Sequence, residues 1–243
     1  MIKINYETFK EKFAFYFKEY NIGFDEKILE EFYLFTEYLL SENEKYNLTS
    51  IKDTDEIILK HYIDSIIILK YFDIPENSKI IDIGTGAGFP ALPLYIMRKD
   101  LQITFLDSSN KKIHFIKTAL ANHTHTNHFI FYRGRAEDFG RDLKIRETYD
   151  FAVSRAVARF NILCELAAPF IRPGGFFIAY KSKNVQDEIH EAENALKILG
   201  LKITDMIEFD LNGNRRFLVK IKKLKEMPPK YPRNFSVITK NPL

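Results

Sequence analysis

A glycine-rich segment that follows a short apolar run carries the clearest chemical signal in the chain. Residues 82–89 read Asp-Ile-Gly-Thr-Gly-Ala-Gly-Phe and lead into a predicted helix with Pro90 near its start. Glycines between a strand and a helix let backbone amides approach a ligand at the helix N-terminus. The segment therefore predicts a cofactor site in the loop that contains Gly84 and Gly86.

Two cofactor classes fit this loop. Gly86, Gly88 and Ala91 satisfy the GxGxxA form that binds dinucleotides, whereas the GxGxG form that begins at Gly84 suits S-adenosylmethionine. A carboxylate at Asp82, just before the first glycine, would repel a pyrophosphate but suits the net cationic S-adenosylmethionine. The glycines alone do not decide between the two classes, and Asp82 favours S-adenosylmethionine.

The remaining parts of such a cofactor would meet an acid and a short polar loop. Asp107 ends the second predicted strand, and its two carboxylate oxygens can accept hydrogen bonds from both ribose hydroxyls. Asp107 could also cap a helix predicted from Ser108 to Leu120. After the third strand, a backbone amide and an acid at Ala136 and Glu137 can meet the adenine edge, or can be ordinary loop residues.

The end of the fourth predicted strand indicates which atom could be methylated. Enzymes that methylate exocyclic amines usually have Asp/Asn-Pro-Pro-aromatic there, whereas this chain has Ser-Arg-Ala-Val at residues 154–157. Cys164 is predicted to be a core residue and not a nucleophile, because its neighbours form an apolar helix face. A ring nitrogen such as guanine N7 exposes a lone pair and needs alignment but no base. No catalytic residue is therefore assigned.

Two other groups of residues could bind ligands. His123, His125 and His128 have metal-ligand spacing, but they lie in a polar connection, so we predict a solvated loop and no metal. Basic residues cluster near the predicted carboxyl ends of the strands, the face where the site must lie: Arg133, Arg135, Arg155, Arg159, Lys181 and Lys183. Contact with phosphates is expected there.

The elements that position these residues begin with helices. Apolar residues at spacings of three and four predict amphipathic helices over residues 6–20 and 25–40, and a third helical stretch runs from Thr54 to Phe72. A cap is expected near Asp53. We predict that residues 1–75 form a helical cap packed on a second unit, residues 76–243.

The second unit alternates short apolar strands with helix-length segments, which is typical of a doubly wound parallel sheet. An Asn-Gly-Asn sequence at residues 212–214 separates the last two strands and requires antiparallel pairing. A final antiparallel strand favours a class I Rossmann-like methyltransferase fold over a plain dinucleotide-binding domain. Seven strands are predicted: Ile80–Ile83, Ile103–Asp107, Phe129–Tyr132, Phe151–Ser154, Gly175–Tyr180, Lys202–Phe209 and Arg216–Lys222.

Composition limits the class of protein. The 243 residues are 46% hydrophobic and 28% charged, which is ordinary for a globular chain, and no run of about 20 apolar residues predicts a membrane span. Cys164 is the only cysteine, and the opening residues do not resemble an export signal, so we expect a cytoplasmic protein. Residues 215–243 contain nine basic residues and one acid, which indicates either a tail that binds the phosphates of a polyanion such as RNA or a solvated surface tail.

Several segments together resemble one family, the bacterial 16S rRNA guanine-N7 methyltransferases, also called glucose-inhibited division protein B or small-subunit rRNA methyltransferase G. The resemblance covers roughly residues 45–243, while the first helices match only in character. The chain departs from the family pattern at Ala91, where a glycine is usual. It also departs in the tail, where Ser236 and Ile238 stand at positions that often hold glycine and proline. The matching segments are Asn47–Thr49, Lys60–Ser65, DIGTGAGFPALPL, LDSSNKK, GRAE, SRAVA and KYPR.

The resemblance implies that S-adenosylmethionine is bound by Gly84, Phe89, the Ala136–Glu137 pair and Arg155. It also implies methylation of one guanine in 16S rRNA, on naked rRNA or on the small ribosomal subunit. We expect a monomer. Rival interpretations are a methyltransferase of another RNA or small substrate, a nicotinamide-dependent oxidoreductase, and a non-catalytic RNA-binding module with the same fold.

Overall fold

The computed structural model describes residues 4–121 and 129–243. The prediction for His123, His125 and His128 lies outside the described residues. Within those two ranges, no group of three or more His, Cys, Asp or Glu residues is arranged to hold a metal ion. Among the same residues, no helix is long and apolar enough to cross a membrane.

One seven-stranded sheet forms the centre of the molecule, in the order β3-β2-β1-β4-β5-β7-β6. The first five strands pair in parallel, and β7 pairs antiparallel with both β5 and β6. This arrangement confirms the predicted doubly wound, mostly parallel sheet of the class I methyltransferase fold. The strands are β1 Lys79–Ile83, β2 Gln102–Asp107, β3 Phe129–Arg133, β4 Tyr149–Arg155, β5 Ile171–Lys181, β6 Leu201–Leu211 and β7 Asn214–Lys223.

A tight hairpin joins β6 and β7. Asn212 and Gly213 lie between the paired residues Leu211 and Asn214, and both have positive φ, 51° and 78°. A two-residue loop of this conformation matches the right-handed twist of the two strands, and asparagine and glycine adopt it at little cost. The predicted hairpin is confirmed.

The N-terminal helices cover one face of the sheet. They are α1 Tyr6–Glu19 and α2 Glu26–Tyr46, followed by α3 Thr54–Ile57, a π-helical segment Ile58–Ile63, α4 Asp64–Ile66 and α5 Ile68–Tyr71. The Asp53 side chain accepts a hydrogen bond from the amide of Glu56, as the predicted cap requires. Aromatic residues of α1 and α2, such as Phe13 and Phe32, share one hydrophobic core with β1 and β2. The division at residue 75 remains a prediction.

The other helices connect the strands. On the face opposite the N-terminal helices, a second core packs α9 and α11 against the sheet, and it contains the buried Cys164, as predicted. The last element, α12, follows an irregular segment and packs against α9. The helices are α6 Ala91–Met97, α7 Asn110–Leu120, α8 Ala136–Phe139, α9 Phe160–Ala167, α10 Val185–Glu191, α11 Glu193–Leu199 and α12 Phe235–Lys240.

Candidate functional site

A cavity of about 320 Å³ opens at the carboxyl ends of β1 to β4. This is the edge of a doubly wound sheet at which ligands bind, and the volume is in the range of small-molecule sites. Four residues singled out from the sequence line it, namely Gly84, Asp107, Ala136 and Glu137. These residues come from three separate loops, so the fold brings together positions that are far apart in the sequence.

The glycine loop fits closely under the end of β4. A side chain at Gly84 would put its Cβ 2.5 Å from Val157, so the two segments can approach only because this residue has none. The amides of Gly84 and Thr85 donate to the carbonyl of Leu106 at 2.8 and 3.1 Å, which fixes the loop to the end of β2. The cavity wall at Gly84 is therefore backbone.

Asp82 lies beneath the loop and does not line the cavity. Its side chain is fully buried, and one carboxyl oxygen accepts hydrogen bonds from the Thr85 hydroxyl at 2.7 Å and the Ala91 amide at 3.3 Å. Burial raises the pKa of Asp82 to about 7. Asp82 therefore supports the loop from below. Its position in the sequence suggested that its charge would face a cationic cofactor, but its carboxyl group is buried outside the cavity.

Asp107 connects the glycine loop to the end of β2. One carboxylate oxygen accepts from the Gly86 amide at 3.0 Å and the other from the Ser109 amide at 2.8 Å, while Lys112 Nζ lies 3.6 Å away. Gly86 thus supports the wall through Asp107 and is not itself among the lining residues. Since a carboxylate has about four lone-pair positions, Asp107 keeps capacity for a ligand in the cavity.

Glu137 is a second buried acid in the wall of this cavity, beside Asp107. Only 5% of the residue is exposed, and its carboxylate accepts no hydrogen bond from any residue that the structure describes. Because Glu137 lines the cavity, its carboxylate can accept hydrogen bonds from a ligand there.

Phe89 and Arg155 lie behind the cavity wall, in a stack that joins the loop to the N-terminal helices. The Phe89 ring stacks on His61 with 4.4 Å between centroids, and the Arg155 guanidinium carbon lies 5.2 Å from the centre of the same ring. Arg155 donates to the Lys60 carbonyl at 2.7 Å and to Asp64 at 2.9 Å. Direct contact of Phe89 or Arg155 with a cofactor remains a prediction.

Burial and the neighbouring charge of Arg155 lower the pKa of His61 to about 3. The ring is therefore neutral at physiological pH. One nitrogen lies 3.4 Å from Arg155, and the other lies 2.9 Å from the Thr49 hydroxyl. His61 is a residue that sequence reasoning noted only as part of a matching segment.

The C-terminal tail closes one side of the cavity. Phe235, the first residue of α12, lines the cavity, and the Arg135 guanidinium carbon lies 4.9 Å from its ring centre. The tail is held by Arg233, which donates twice through its side chain and once through its amide to the buried Glu165, at 2.7–3.0 Å. Sequence analysis missed both Phe235 and this ion pair.

The expectation that the basic tail holds phosphates is wrong for two of its cations. Lys223 is fully buried, pairs with Glu147 and donates to the Ala168 carbonyl at 2.7 Å, and Arg233 is occupied by Glu165. These charges hold the tail in place. Lys222, Lys225, Lys230 and Lys240 remain exposed and keep the predicted role open.

Comparison with known proteins agrees with this geometry. The model of a family described as rRNA small subunit methyltransferase G matches residues 28–219. The chain is 46% identical over 219 residues to a ribosomal RNA small subunit methyltransferase G from Clostridium beijerinckii, covering 88% of this chain and 91% of that protein. It is 43% identical over 227 residues to one from Streptococcus pneumoniae serotype 4, covering 93% and 95%.

Solved structures share the fold at low sequence identity. M. jannaschii TYW2 in complex with AdoMet superposes with a TM-score of 0.54 at 14% identity, covering 72% of this chain and 80% of that one. A complex of the Haloferax volcanii Trm112 methyltransferase activator with a methyltransferase contains a chain with a TM-score of 0.56 at 14% identity, with coverages of 77% and 98%.

Proposed function

The chain belongs to the rRNA small subunit methyltransferase G family, and we propose that it methylates N7 of one guanine in 16S rRNA. Membership makes it an S-adenosylmethionine-dependent methyltransferase of small-subunit rRNA. The observation that best supports this proposal is the cavity at the carboxyl ends of β1 to β4, which adjoins a second cavity across residues 156–158.

The residues of the first cavity fit S-adenosylmethionine. The unpartnered carboxylate of Glu137 and the spare acceptor capacity of Asp107 match a ligand with ribose hydroxyls and an adenine amino group. In our proposal Gly84 to Phe89 hold the methionine part, with Gly86 kept in position by Asp107. Asp107 binds the ribose, Ala136 and Glu137 the adenine, and Arg155 supports the cofactor from the end of β4.

The bound cofactor supplies an electrophilic methyl group, and the chain supplies alignment. Guanine N7 already carries a lone pair, so no side chain has to remove a proton from it before transfer. The chain must exclude water and hold the base next to the first cavity. A left-handed backbone at Ala156, with φ of 57°, forms the boundary between the two cavities, and such strain is common at functional sites.

We further propose that the protein acts in the cytoplasm as a monomer, on naked 16S rRNA or on the small ribosomal subunit, and without a metal ion. The exposed cations near the strand ends, including Lys183, would contact phosphates.

Methyl-labelled S-adenosylmethionine and unmodified small subunits test the proposal. After incubation with the protein, the RNA is digested and the labelled nucleoside is identified. Label in 7-methylguanosine is the expected result. Label in another nucleoside would contradict N7 as the target, and a parallel reaction with naked 16S rRNA shows which form is the substrate.

A further inference from the structure

A second cavity of about 390 Å³ lies beside the first, at the carboxyl ends of β4 and β5. The two cavities share residues 156–158. Its walls combine Asp64 from α4, Tyr180 and Lys181 from β5, and Arg216 from β7. A group bound here would lie next to the proposed cofactor cavity.

Most polar groups of this cavity already have protein partners. Lys181 Nζ lies 2.5 Å from a Glu188 oxygen and donates to the Ala158 carbonyl at 3.0 Å. The Tyr180 hydroxyl donates to the Ser65 carbonyl at 2.7 Å. These groups shape the cavity but have little capacity left for a ligand.

Asp64 and Arg216 are different. Asp64 is 93% buried, and one of its oxygens accepts from Arg155 at 2.9 Å. The other oxygen is 4.0 Å from Arg216 Nε, too far for a hydrogen bond. Among the described residues, neither that oxygen nor the Arg216 side chain makes a hydrogen bond, and Arg216 Nε is also buried. An acceptor and a donor therefore lie side by side as a long ion pair without a hydrogen bond between them, and the buried Arg216 Nε in particular lacks an acceptor that a ligand could supply.

The Watson–Crick edge of guanine has the complementary pattern. Its N1–H and 2-amino groups are donors, and the neighbouring O6 is an acceptor, so a carboxylate can bind the first two while a guanidinium binds the third. Adenine presents the reverse, with an acceptor at N1 and a donor at the 6-amino group. Recognition through this edge also leaves N7 free, as methylation requires.

We propose that Asp64 and Arg216 recognise the Watson–Crick edge of the target guanine, which enters this cavity as an unstacked base. The proposal rests on the function proposed above. Asp64 accepts from N1–H and the 2-amino group, and Arg216 donates to O6. The pair determines specificity for guanine over adenine, and the mode of binding directs N7 away from the recognition groups.

The test combines Asp64→Asn with a change of one group on the base. Small subunits are reconstituted from ligated RNA that carries guanosine or inosine at the methylated position, since inosine lacks only the 2-amino group. For the wild type, inosine lowers kcat/KM about 10-fold, and Asp64→Asn lowers it about 100-fold on guanosine. In Asp64→Asn, the further loss with inosine falls below about 3-fold, because the acceptor of the 2-amino group is already gone.

The control is Asp150→Asn, which removes a carboxylate paired with Arg172 at 2.7 Å at the opposite end of β4. The Asp150→Asn variant should show the same loss of kcat/KM with inosine as the wild type. Affinity for S-adenosylmethionine, measured by calorimetry, changes less than about 3-fold in Asp64→Asn. If cofactor affinity falls as much as turnover does, Asp64 acts through Arg155 and the proposal is overturned. If the losses of kcat/KM caused by inosine and by Asp64→Asn multiply, the two changes act independently, and this result overturns the proposal as well.

Two further arms keep the test decisive. If Asp64→Asn does not fold, Arg216→Gln is paired with 6-thioguanosine, which keeps N1–H and the 2-amino group but replaces O6 by a weakly accepting sulfur. Losses from the variant and from the base that multiply would contradict the proposal. Wild type with guanosine substrate reports on the function itself. Absence of 7-methylguanosine there defeats the proposed function, whereas its presence with multiplying effects defeats only the recognition role of Asp64 and Arg216.

Discussion

At the scale of single residues, the neutral ring of His61 packs the N-terminal helices against the glycine loop through Phe89. The pKa of His61 is lowered to about 3 in the folded protein, whereas the pKa of a histidine in the unfolded chain is about 6.5. Above about pH 6.5 the ring is neutral in both states, so the stability it contributes is fully present. As pH falls from about 6.5 toward 3, the unfolded state takes up a proton first and the free energy of unfolding decreases.

His61→Gln removes this titration. The free energy of unfolding of the variant, measured with urea between pH 7.5 and 4.5, is lower than that of the wild type at pH 7.5, and the difference narrows as pH falls. His190→Gln, which replaces a histidine whose side chain is 84% exposed, is the matched control for the loss of an imidazole. Parallel curves for the wild type and His61→Gln would show that the folded ring titrates normally.

Asp107 is the second residue with a measurable role, because it joins the glycine loop to the proposed ribose site. Asp107→Ala removes a charged acceptor and releases the Gly86 amide. Hydrogen bonds to charged groups contribute about 1.5–3 kcal/mol, so we expect a 10- to 100-fold loss of S-adenosylmethionine affinity by calorimetry. Asp100→Ala, which removes an acid paired with Arg98 just before β2 begins, serves as the control. Equal affinity losses in both variants would argue against a ribose contact.

At the scale of elements, the tail depends on the ion pair between Arg233 and Glu165. Glu165 is 1% exposed, so Arg233→Met leaves a buried carboxylate without its partner. Such a loss costs about 3–5 kcal/mol, and it also frees Phe235 from the wall of the first cavity. We expect a lower free energy of unfolding and faster proteolysis after residue 223. Arg215→Met breaks an exposed pair with Glu208 and should lower the free energy of unfolding far less, because solvent screens an exposed pair. Similar costs for both variants would contradict the anchoring role.

The strands could be predicted because their signals are local. Short apolar runs between turn residues located all seven, and Asn212 with Gly213 identified the hairpin. The start of β5 was predicted four residues late, since Pro173 and Gly174 look like a turn, yet Ile171 pairs with Tyr149 across a bulge. The π-helical segment at residues 58–63 was also missed, because periodicity does not distinguish it from an α-helix.

The candidate site was predictable to the extent that each part is a local motif. The glycine loop follows β1, Asp107 ends β2, and the polar loop that contains Ala136 and Glu137 follows β3. Contacts between distant segments leave no such pattern: Arg233 and Glu165 are 68 positions apart, and Arg155 and Asp64 are 91 apart. The second cavity, which depends on such contacts, could be found only in the folded chain.

At the scale of the whole molecule, charge is used in two ways. Cations such as Lys223 and Lys181 pair with acids and hold the structure together, although the sequence counts them with the free ones. Lys183, just after β5, is exposed and makes no hydrogen bond or ion pair with any residue that the structure describes. RNA should therefore meet the carboxyl-end face of the sheet through exposed cations of this kind, and the opposite face should contribute little.

The salt dependence of RNA binding tests whether RNA binds at the carboxyl-end face of the sheet. Each phosphate contact contributes about 0.7–0.9 to the slope of log affinity against log salt concentration. Lys183→Ala should lower this slope by about that amount and weaken the binding of small-subunit RNA. Filter binding at salt concentrations between about 50 and 200 mM measures both effects. Lys79→Ala removes another exposed lysine, at the amino end of β1, and should leave the slope unchanged. Equal reductions would mean that RNA binds through the net charge of the protein, and a reduction for Lys79 alone would place the RNA on the opposite face.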